Sequence, residues 1–330
     1  MLERQSDSQA SHTGASLQDI LRCPRCASPI SGTMQSPQCS NRDCTYADGF
    51  LIASGQPVLI DFEKSVFGRE MFENGREPSV RRDDVRVSFR SRIRNLLSSE
   101  NYAAREKSTE LVQRLAKLPG RPRILIVGGG ARGSGIEHLY KNEKIELIGT
   151  DVYASPNTCI VADGHSLPFV DESFDAVWIQ AVLEHVLEPA QVVSEIFRVL
   201  KQKGLVYADT PFMQQVHEGA YDFTRFSLSG HRWLFRRFEQ IDAGSSVGAA
   251  TSLLWSLRYF FRALGRGHKA AQFLALPFFW LKYVDFVLKG RADLDAAGGV
   301  YFFGIKSQHT IGPKEIVAYY ETQSAQRARQ

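Results

Sequence analysis

The 330-residue sequence has little that would send it into or across a membrane. Residues 1–20 are polar and lack the apolar stretch of a secretory signal peptide, which predicts a loose tail and a cytoplasmic protein. The net charge is only +4, too small by itself to require a nucleic-acid partner. An apolar content of 43% is nevertheless ordinary, so the length and composition predict one large globular domain plus a small one.

Cysteine is also scarce, and its placement is uneven. Four of the five cysteines fall into two pairs, Cys23 with Cys26 and Cys39 with Cys44. An intracellular chain is not expected to keep them as disulfides, and two such pairs can bring four thiolates around a zinc ion. Reduced thiols without metal are the alternative. We therefore predict a zinc-binding module over residues 21–63, completed by a strand pair.

The segments LRCPRC and YADGFLIASGQPVLI in this module resemble the small zinc-ribbon domains of the Trm112 family. That resemblance implies a structural role or a docking surface, and no part in catalysis.

Residues 64–118 form an arginine-rich linker that we expect to be helical. Arg82, Arg86, Arg90 and Arg94 follow one another at four-residue steps and would share one helix face. Such a face could hold phosphates or anionic lipid head groups, or it could be a solvated face paired with nearby acids. A short amphipathic helix is predicted from residue 108 to residue 118.

The stretch RILIVGGGARGSG, residues 123–135, has the pattern of a buried strand followed by a glycine turn. Gly128, Gly130 and Gly133 fit G-x-G-x-x-G, a spacing that lets the backbone approach an anionic ligand. Ser134 and Glu137 have the spacing of a capping box, so a helix is predicted directly after the turn. NAD-dependent enzymes share this motif, which is therefore weak on its own.

Further strands alternate with helices along the following residues. Strands are predicted at 144–150, ending at Asp151, at 160–162, ending at Asp163, and at 174–180. A helix begins at Pro189 and should be closed by Lys201, Lys203 and Gly204, before a strand at 205–211. This rhythm predicts a doubly wound parallel sheet with ligands at the carboxyl ends of its strands.

Taken together, RILIVGGG, IGTDVY, VADGHSLPF, DESFDAVWIQAVLEHV and EIFRVLKQKGLVYADTPF resemble class I S-adenosylmethionine-dependent methyltransferases of type 11. The resemblance implies an α/β, Rossmann-like domain over residues 119–310 with seven strands, the last two antiparallel. It also implies that the glycines contact the methionine part of S-adenosylmethionine, Asp151 the ribose, Asp163 the adenine amino group, and Gln180 with Ala181 the far side. The implied cofactor residues are Gly128, Gly129, Gly130, Gly133, Asp151, Val152, Asp163, Gly164, Gln180 and Ala181.

One position departs from that family. Ile126 stands where an acidic residue is usual, which removes a polar contact near the methionine amino group. The competing dehydrogenase interpretation finds a Tyr-x-x-x-Lys pair at Tyr140 and Lys144, but this pair lies between the first two strands, far in sequence from a hydride-transfer site.

The acceptor side is predicted just beyond the strand ends. Five residues are candidate catalytic bases for a hydroxyl acceptor, with the first three favoured: His217, Glu184, His185, Asp209 and Glu218. The segment PFMQQVHEGAYDFTRF resembles methyltransferases of cell-surface glycan and lipid-linked pathways, which implies substrate contacts from Tyr221, Asp222 and Arg225. Alternatively, Asp222 and Arg225 pair within an ordered loop.

A helical insertion is predicted at about residues 250–290, before the last strand, and a tail at residues 311–330. The surplus of aromatic and aliphatic residues through 253–289 favours a cap over the acceptor pocket or a homodimer face, with membrane-surface contact as the alternative. The sequence thus predicts a methyltransferase for a small-molecule or glycan- or lipid-linked acceptor. An RNA methyltransferase and a non-catalytic binding protein are the alternatives.

Overall fold

A computed structural model describes residues 16–74, 101–288 and 294–327. The four arginines of the predicted stripe, Arg82, Arg86, Arg90 and Arg94, lie outside these ranges, as does most of the predicted amino-terminal tail. Within the described residues, no helix has both the length and the apolar character needed to cross a bilayer.

A nine-stranded sheet organises the chain. Its central strands β5 (Arg123–Val127), β6 (Glu146–Asp151), β7 (Ile160–Ala162), β8 (Phe174–Gln180) and β9 (Leu200–Pro211) run parallel in the order β7-β6-β5-β8-β9. β11 (Gly299–Lys306) pairs antiparallel with β9 and with the edge strand β10 (Phe238–Val247). This seven-strand order, with one antiparallel strand, is that of the class I methyltransferase fold, and the prediction is confirmed.

The cysteine module extends this sheet. Its first hairpin, β1 (Ile30–Thr33) with β2 (Ser36–Cys39), forms a separate two-stranded sheet. Its second hairpin, β3 (Leu51–Ala53) with β4 (Gln56–Leu59), joins the large sheet because β4 pairs in parallel with β7. The predicted strand pair therefore becomes one edge of the main sheet.

Helices cover both faces of the sheet. On one face, α2 (Tyr102–Leu115) is capped by Asn101, whose side-chain oxygen accepts from the Ala104 amide at 2.8 Å. Its buried Leu111 belongs to the same core cluster as Trp178. On the other face, α3 (Pro189–Val199) buries Ile196 and its apolar neighbours in the main core. The helix predicted at 108–118 is thus the carboxyl-terminal half of α2, which ends earlier. The remaining short helix of this region is α1 (Arg69–Glu73).

Two local predictions were wrong. The helix expected after the glycine turn is only a single 3₁₀ turn, Leu139–Lys141, so Ser134 and Glu137 do not form a capping box there. Gly135 has a φ of +90° and passes so close to α2 that a Cβ would lie 2.9 Å from the Arg105 nitrogen. The chain at Gly135 is instead held against α2, where the Ser108 hydroxyl donates to the Gly135 carbonyl at 3.2 Å.

The second correction concerns the end of α3. This helix ends at Val199, and β9 begins at once with the buried Leu200, which lies opposite Phe174. Lys201, Lys203 and Gly204 therefore belong to the strand and do not close the helix, because the backbone is already extended at Leu200, with φ −72° and ψ 133°.

The carboxyl-terminal part holds the remaining helices. α4 (Leu228–Leu234) precedes β10, and α5 (Ala249–Phe261), α6 (Gly267–Ala275) and α7 (Leu281–Val284) form the insertion between β10 and β11. A π-helical turn, Arg262–Arg266, joins α5 to α6. Residues predicted as a tail include a helix, α8 (Pro313–Arg327).

Candidate functional site

A cavity of about 400 Å³ opens at the carboxyl ends of β5, β6, β7, β8 and β9. Its walls come from the loops that follow these strands, from the segment before α1, and from helix α5. This is the edge of a parallel sheet at which α/β proteins bind their ligands.

The glycine loop after β5 brings the main chain to the cavity. Gly128 has a φ of +76°, and a Cβ there would lie 2.2 Å from Val182. A Cβ at Gly130 would lie 2.5 Å from the Tyr153 ring. Asp151 fixes the loop, because its Oδ2 accepts from the Gly130 amide at 2.8 Å while its Oδ1 accepts from the Val152 amide at 2.7 Å.

The structure brings most of the predicted site residues together around this one cavity. The predicted residues that line it are Gly128, Gly133, Asp151, Val152, Asp163, Gly164, Gln180, Ala181, Glu184, His185, His217 and Tyr221. Those that lie outside the lining are Gly129, Gly130, Asp222 and Arg225. Ile126, the position that departs from the methyltransferase pattern, is also part of the wall.

Asp163, at the end of β7, is a buried carboxylate held ionised by its neighbours. It accepts from the amide of His165 at 3.0 Å and from the hydroxyl of Ser65 at 2.5 Å. Burial alone would raise the pKa of Asp163, but the hydrogen bonds and the charge of His165 outweigh it and lower the pKa below its usual value. An ionised carboxylate at this wall is a hydrogen-bond acceptor for a ligand amino group.

The segment after the cysteine module supplies two wall residues that sequence reasoning missed. Val66 and Phe67 line the cavity, and the Phe67 ring stacks on Tyr221 with centroids 5.7 Å apart. No motif marks these positions. Their placement follows from the pairing of β4 with β7. The sequence predicts the cysteine module as a unit separate from the main sheet, and it therefore does not predict this pairing.

A second group that was not among the predicted cofactor residues surrounds Asp209 at the end of β9. Its carboxylate accepts from the Ser246 hydroxyl at 2.7 Å and from the amide nitrogen of Asn101. Burial raises the pKa of Asp209 to about 6, even though these donors oppose the shift. Asn101, Asp209 and Ser246 all line the cavity.

The predicted bases form one cluster. His185 Nδ1 lies 2.7 Å from the Tyr221 carbonyl oxygen, which can only accept, so the proton is on Nδ1 and Nε2 is the basic nitrogen. Nε2 of His185 lies 3.6 Å from the buried Glu184 carboxylate, and the His185 and His217 rings are 4.9 Å apart. Candidate ligand atoms of Glu184, His185 and His217 fall within 4.8 Å of one another, so the group could also hold a cation.

His217 presents its ring to the cavity in the neutral form. Its Nδ1 lies 3.3 Å from both the Gln215 carbonyl oxygen and the Asp222 carboxylate, and these two acceptors outweigh the Arg225 guanidinium nitrogen, a donor at 3.5 Å. The proton is therefore on Nδ1, and Nε2 is again the basic nitrogen. Burial is the largest cause that lowers the pKa of His217 below its usual value.

Asp222 and Arg225 hold the loop that carries His217. Asp222 accepts from the His217 amide at 2.8 Å and pairs with Arg225, whose Nε donates to the Gln214 carbonyl at 2.9 Å. Burial acts to raise the pKa of Asp222, but the hydrogen bond and charge of Arg225 dominate and lower it to about 2. These contacts match the alternative in which the two residues pair within an ordered loop.

The four cysteines predicted as metal ligands also come together. Cys23 and Cys44 have sulfurs 3.7 Å apart, and those of Cys26 and Cys39 are 3.4 Å apart. A tetrahedral zinc with zinc–sulfur bonds of about 2.3 Å separates its sulfurs by about 3.8 Å, so this donor set fits the ion.

Comparison with known proteins gives one family match. A model described as a methyltransferase domain matches residues 127–208, from the end of β5 almost to the end of β9. No curated protein matches the sequence.

Several solved structures are similar to this chain. The cyclase SpnF is 21% identical, with a TM-score of 0.40 and coverage of 64% of this chain and 83% of its own. A complex between the Haloferax volcanii Trm112 methyltransferase activator and a candidate methyltransferase is 20% identical, with a TM-score of 0.39, and the match covers 64% of this chain and 96% of that one. Haemonchus contortus phosphoethanolamine N-methyltransferase 2, bound to phosphomonomethylethanolamine and S-adenosylhomocysteine, is 17% identical, with a TM-score of 0.41. The match covers 62% of this chain and 53% of that one.

At these identities and TM-scores, such likenesses carry no argument about the reaction. Two findings do bear on the kind of protein. Residues 127–208 match the methyltransferase domain family, and the sheet has the strand order of the class I methyltransferase fold.

Proposed function

We propose that this protein is an S-adenosylmethionine-dependent methyltransferase that acts on a small-molecule or glycan- or lipid-linked acceptor. The observation that supports this most strongly is that the cavity lies at the carboxyl edge of β5 to β9, and that most of its lining residues belong to the segment matched by the methyltransferase model. A volume of about 400 Å³ is of the size that holds a small ligand.

The cofactor half of the cavity is the end formed by β5, β6 and β7. Asp151 presents its carboxylate at the cavity wall, and carboxylate oxygens accept hydrogen bonds from hydroxyls such as those of a ribose. Asp163 is ionised and suits the adenine amino group. Gly128 gives the main chain close access, with Gln180 and Ala181 on the opposite wall.

Asp209 is our candidate for the contact that Ile126 cannot make. A ligand ammonium needs an anionic partner, and Asp209 offers a buried carboxylate in the same cavity, already oriented by Asn101 and Ser246. An ammonium placed beside it would favour the ionised carboxylate and so lower its pKa from about 6.

The acceptor half contains His185, His217 and Tyr221. S-adenosylmethionine supplies an activated methyl group, so the protein has to align the acceptor, exclude water and take up a proton from a hydroxyl acceptor. We assign the proton to Nε2 of His217, since Nδ1 is engaged by Gln215 and Asp222. Asp222 and Arg225 act as positioning residues for that loop.

We assign a structural zinc ion to Cys23, Cys26, Cys39 and Cys44. Three of these side chains are part of the main hydrophobic core, and ligand atoms of all four lie within 4.8 Å of one another. A metal centre there would stabilise the hairpin that forms the sheet edge.

Calorimetric titration with S-adenosylhomocysteine and with NAD tests the assignment of the cofactor. The protein should bind S-adenosylhomocysteine, and Asp151→Ala should weaken binding by about 1–3 kcal/mol through loss of charge-assisted contacts. Asp48→Ala, at an exposed position of the cysteine module, is the matched control and should bind normally. Binding of NAD without S-adenosylhomocysteine would instead place the chain among dehydrogenases.

A further inference from the structure

The helical insertion leaves an unusual number of large apolar side chains in solvent. Val287 is 80% exposed and Phe273 is 72% exposed. We call the following set the apolar face of the insertion: Leu253, Phe260, Leu264, Phe273, Leu274, Trp280, Tyr283, Phe286, Val287 and Leu288, all of them exposed. A monomeric protein gains nothing from presenting so much apolar surface on one small unit to water, so a covering partner is expected.

The apolar face of the insertion does not cover the cavity at the sheet edge. Trp255 of α5 lines the cavity, but it lies only two residues from Leu253 and therefore on the far side of the helix from it. The helices of the insertion pack on one another through Leu254 and Leu281, which are buried. None of the residues of the apolar face lines the cavity or belongs to this small core.

Charge identifies the kind of partner. Residues 249–288 contain five Lys or Arg residues and a single acid, Asp285. Asp285 is occupied at the start of α5, where its Oδ1 accepts from the Ala250 amide at 2.8 Å and its Oδ2 from the Thr251 amide at 3.1 Å. The outward charge of the insertion is therefore positive. The basic residues whose side chains the structure describes are Arg258, Arg262, Lys269 and Lys282.

This charge pattern decides between two partners. A symmetric dimer through the apolar face would bring two sets of cations together without acids from the insertion to pair with them, which is unfavourable. A bilayer with anionic lipids offers phosphates for the cations and an interface in which Trp, Tyr and Phe side chains are stable.

We propose that residues 249–288 bind the surface of an anionic membrane, with the apolar face in the head-group region and the cations on lipid phosphates. The same helices touch the acceptor loop, since Tyr259 OH donates to the Val216 carbonyl at 2.8 Å and Gln215 donates to Ser256 at 3.0 Å. Docking would therefore hold the acceptor side near the bilayer, which suits a membrane-borne acceptor. That last point rests on the proposed function; the docking itself does not.

Vesicle flotation of the full-length protein, without S-adenosylmethionine, tests the docking. Wild type should float with phosphatidylcholine vesicles that contain phosphatidylglycerol and should stay behind with phosphatidylcholine alone. Phe260→Ser with Phe273→Ser and Trp280→Ser should weaken binding by about tenfold per side chain. Arg262→Gln with Lys269→Gln should weaken it by about fivefold per cation and reduce its salt dependence.

Matched variants outside the insertion serve as controls. Val317→Ser removes an apolar side chain that is 65% exposed on α8, and Lys144→Gln removes an exposed cation near β6; both should float like wild type. The proposal is overturned if wild type stays in the aqueous fraction with anionic vesicles, or if the triple serine variant still floats. It is also overturned if sedimentation shows a dimer that the triple variant dissolves while no vesicle binding occurs.

Calorimetry with S-adenosylhomocysteine on the same variants keeps this proposal separate from the proposed function. Normal cofactor binding without flotation contradicts only the membrane proposal, whereas flotation without cofactor binding contradicts only the methyltransferase proposal.

Discussion

The cysteine module (residues 21–63) and the helical insertion (residues 249–288) lie toward opposite edges of one sheet, and they meet the rest of the protein in different ways. The module is continuous with the core: β4 pairs with β7, and Leu21 forms a bridge with Phe169. The insertion keeps a small core of its own and exposes its apolar face. The cysteine module is thus part of the sheet, whereas the helical insertion presents an exposed surface. We call these two regions the two additions to the sheet.

Each addition also reaches a different half of the cavity. The chain leaving the module places Ser65 on Asp163 and Phe67 in the wall, which is the half assigned to adenine. The insertion places Trp255 in the wall and holds Gln215 and Val216 of the acceptor loop. Damage to the module should therefore affect cofactor binding, and damage to the insertion should affect the acceptor side.

The largest effect is expected from loss of the metal. Cys23→Ser with Cys26→Ser should remove about one zinc per chain and destabilise the protein by more than about 3 kcal/mol, because ligand binding and folding of the module are linked. Affinity for S-adenosylhomocysteine should fall as well, because Ser65 and Phe67 lose their support. Elemental analysis, thermal unfolding and calorimetry measure the three effects.

Cys159→Ser is the control for that experiment, since Cys159 lies outside the cluster of four. Zinc retained by the double variant, or absent from freshly reduced wild type, would contradict the metal assignment.

The next effect concerns Asp209 and has a defined pH dependence. Asp209→Asn should weaken binding of S-adenosylmethionine by about 10- to 100-fold, the cost of losing a charge-assisted contact to the ammonium. In wild type the folded, empty site holds Asp209 with a pKa of about 6. The bound cation favours the ionised form, so binding near pH 6 should release a proton, and affinity should rise as the pH increases through this range.

Calorimetry in buffers of different ionisation enthalpy measures this proton release. 5′-Methylthioadenosine lacks the amino-acid part and should bind wild type and Asp209→Asn equally. Equal loss of both ligands in the variant would show that Asp209 supports the fold of the site and does not contact the ammonium.

His217 should affect turnover without affecting cofactor binding. His217→Gln should lower methyl transfer by about 10²- to 10⁴-fold, as expected for a lost general base. Transfer by wild type should fall on the acid side of the His217 pKa, which burial places below its usual value, because the protonated ring accepts no proton. The assay counts label passed from methyl-tritiated S-adenosylmethionine to an organic extract of membranes. An unchanged rate would remove His217 from catalysis.

Sequence patterns predicted the parts of this fold that depend on local signals. Apolar runs, turn residues and spacing predicted five parallel strands, the acidic residues Asp151 and Asp163 at the ends of two of them, and the cysteine cluster. The helix after Gly133 was mispredicted, because a capping-box spacing contains no information about α2, which contacts this segment at Gly135. Likewise Asn101, Ser246 and Phe67 reach the cavity through pairing between distant segments, which no local pattern encodes.

The orientation of the insertion was equally hidden from the sequence. An aromatic surplus predicts either burial or an interface, and only the solvent exposure of Phe273 and Val287 separates the two. The placement of Asp285 at the start of α5 matters in the same way, since it shows which charges remain to face a partner.

The smallest effects come from two hydroxyls, that of Ser65 directly after the cysteine module and that of Ser256 in the insertion, and they test the comparison most directly. Ser65→Ala removes a hydrogen bond to Asp163, which should raise the pKa of that carboxyl and weaken binding of S-adenosylhomocysteine by about 0.5–1.5 kcal/mol. Methyl transfer at saturating cofactor should be unchanged. Ser256→Ala removes the contact with Gln215 and should do the reverse, loosening the acceptor loop and lowering transfer a few-fold at unchanged cofactor affinity. Paired calorimetry and transfer assays on the two variants measure both quantities. If the variants shift the same quantity, the two additions do not act on separate halves of the cavity, because each hydroxyl would then be felt across the whole site.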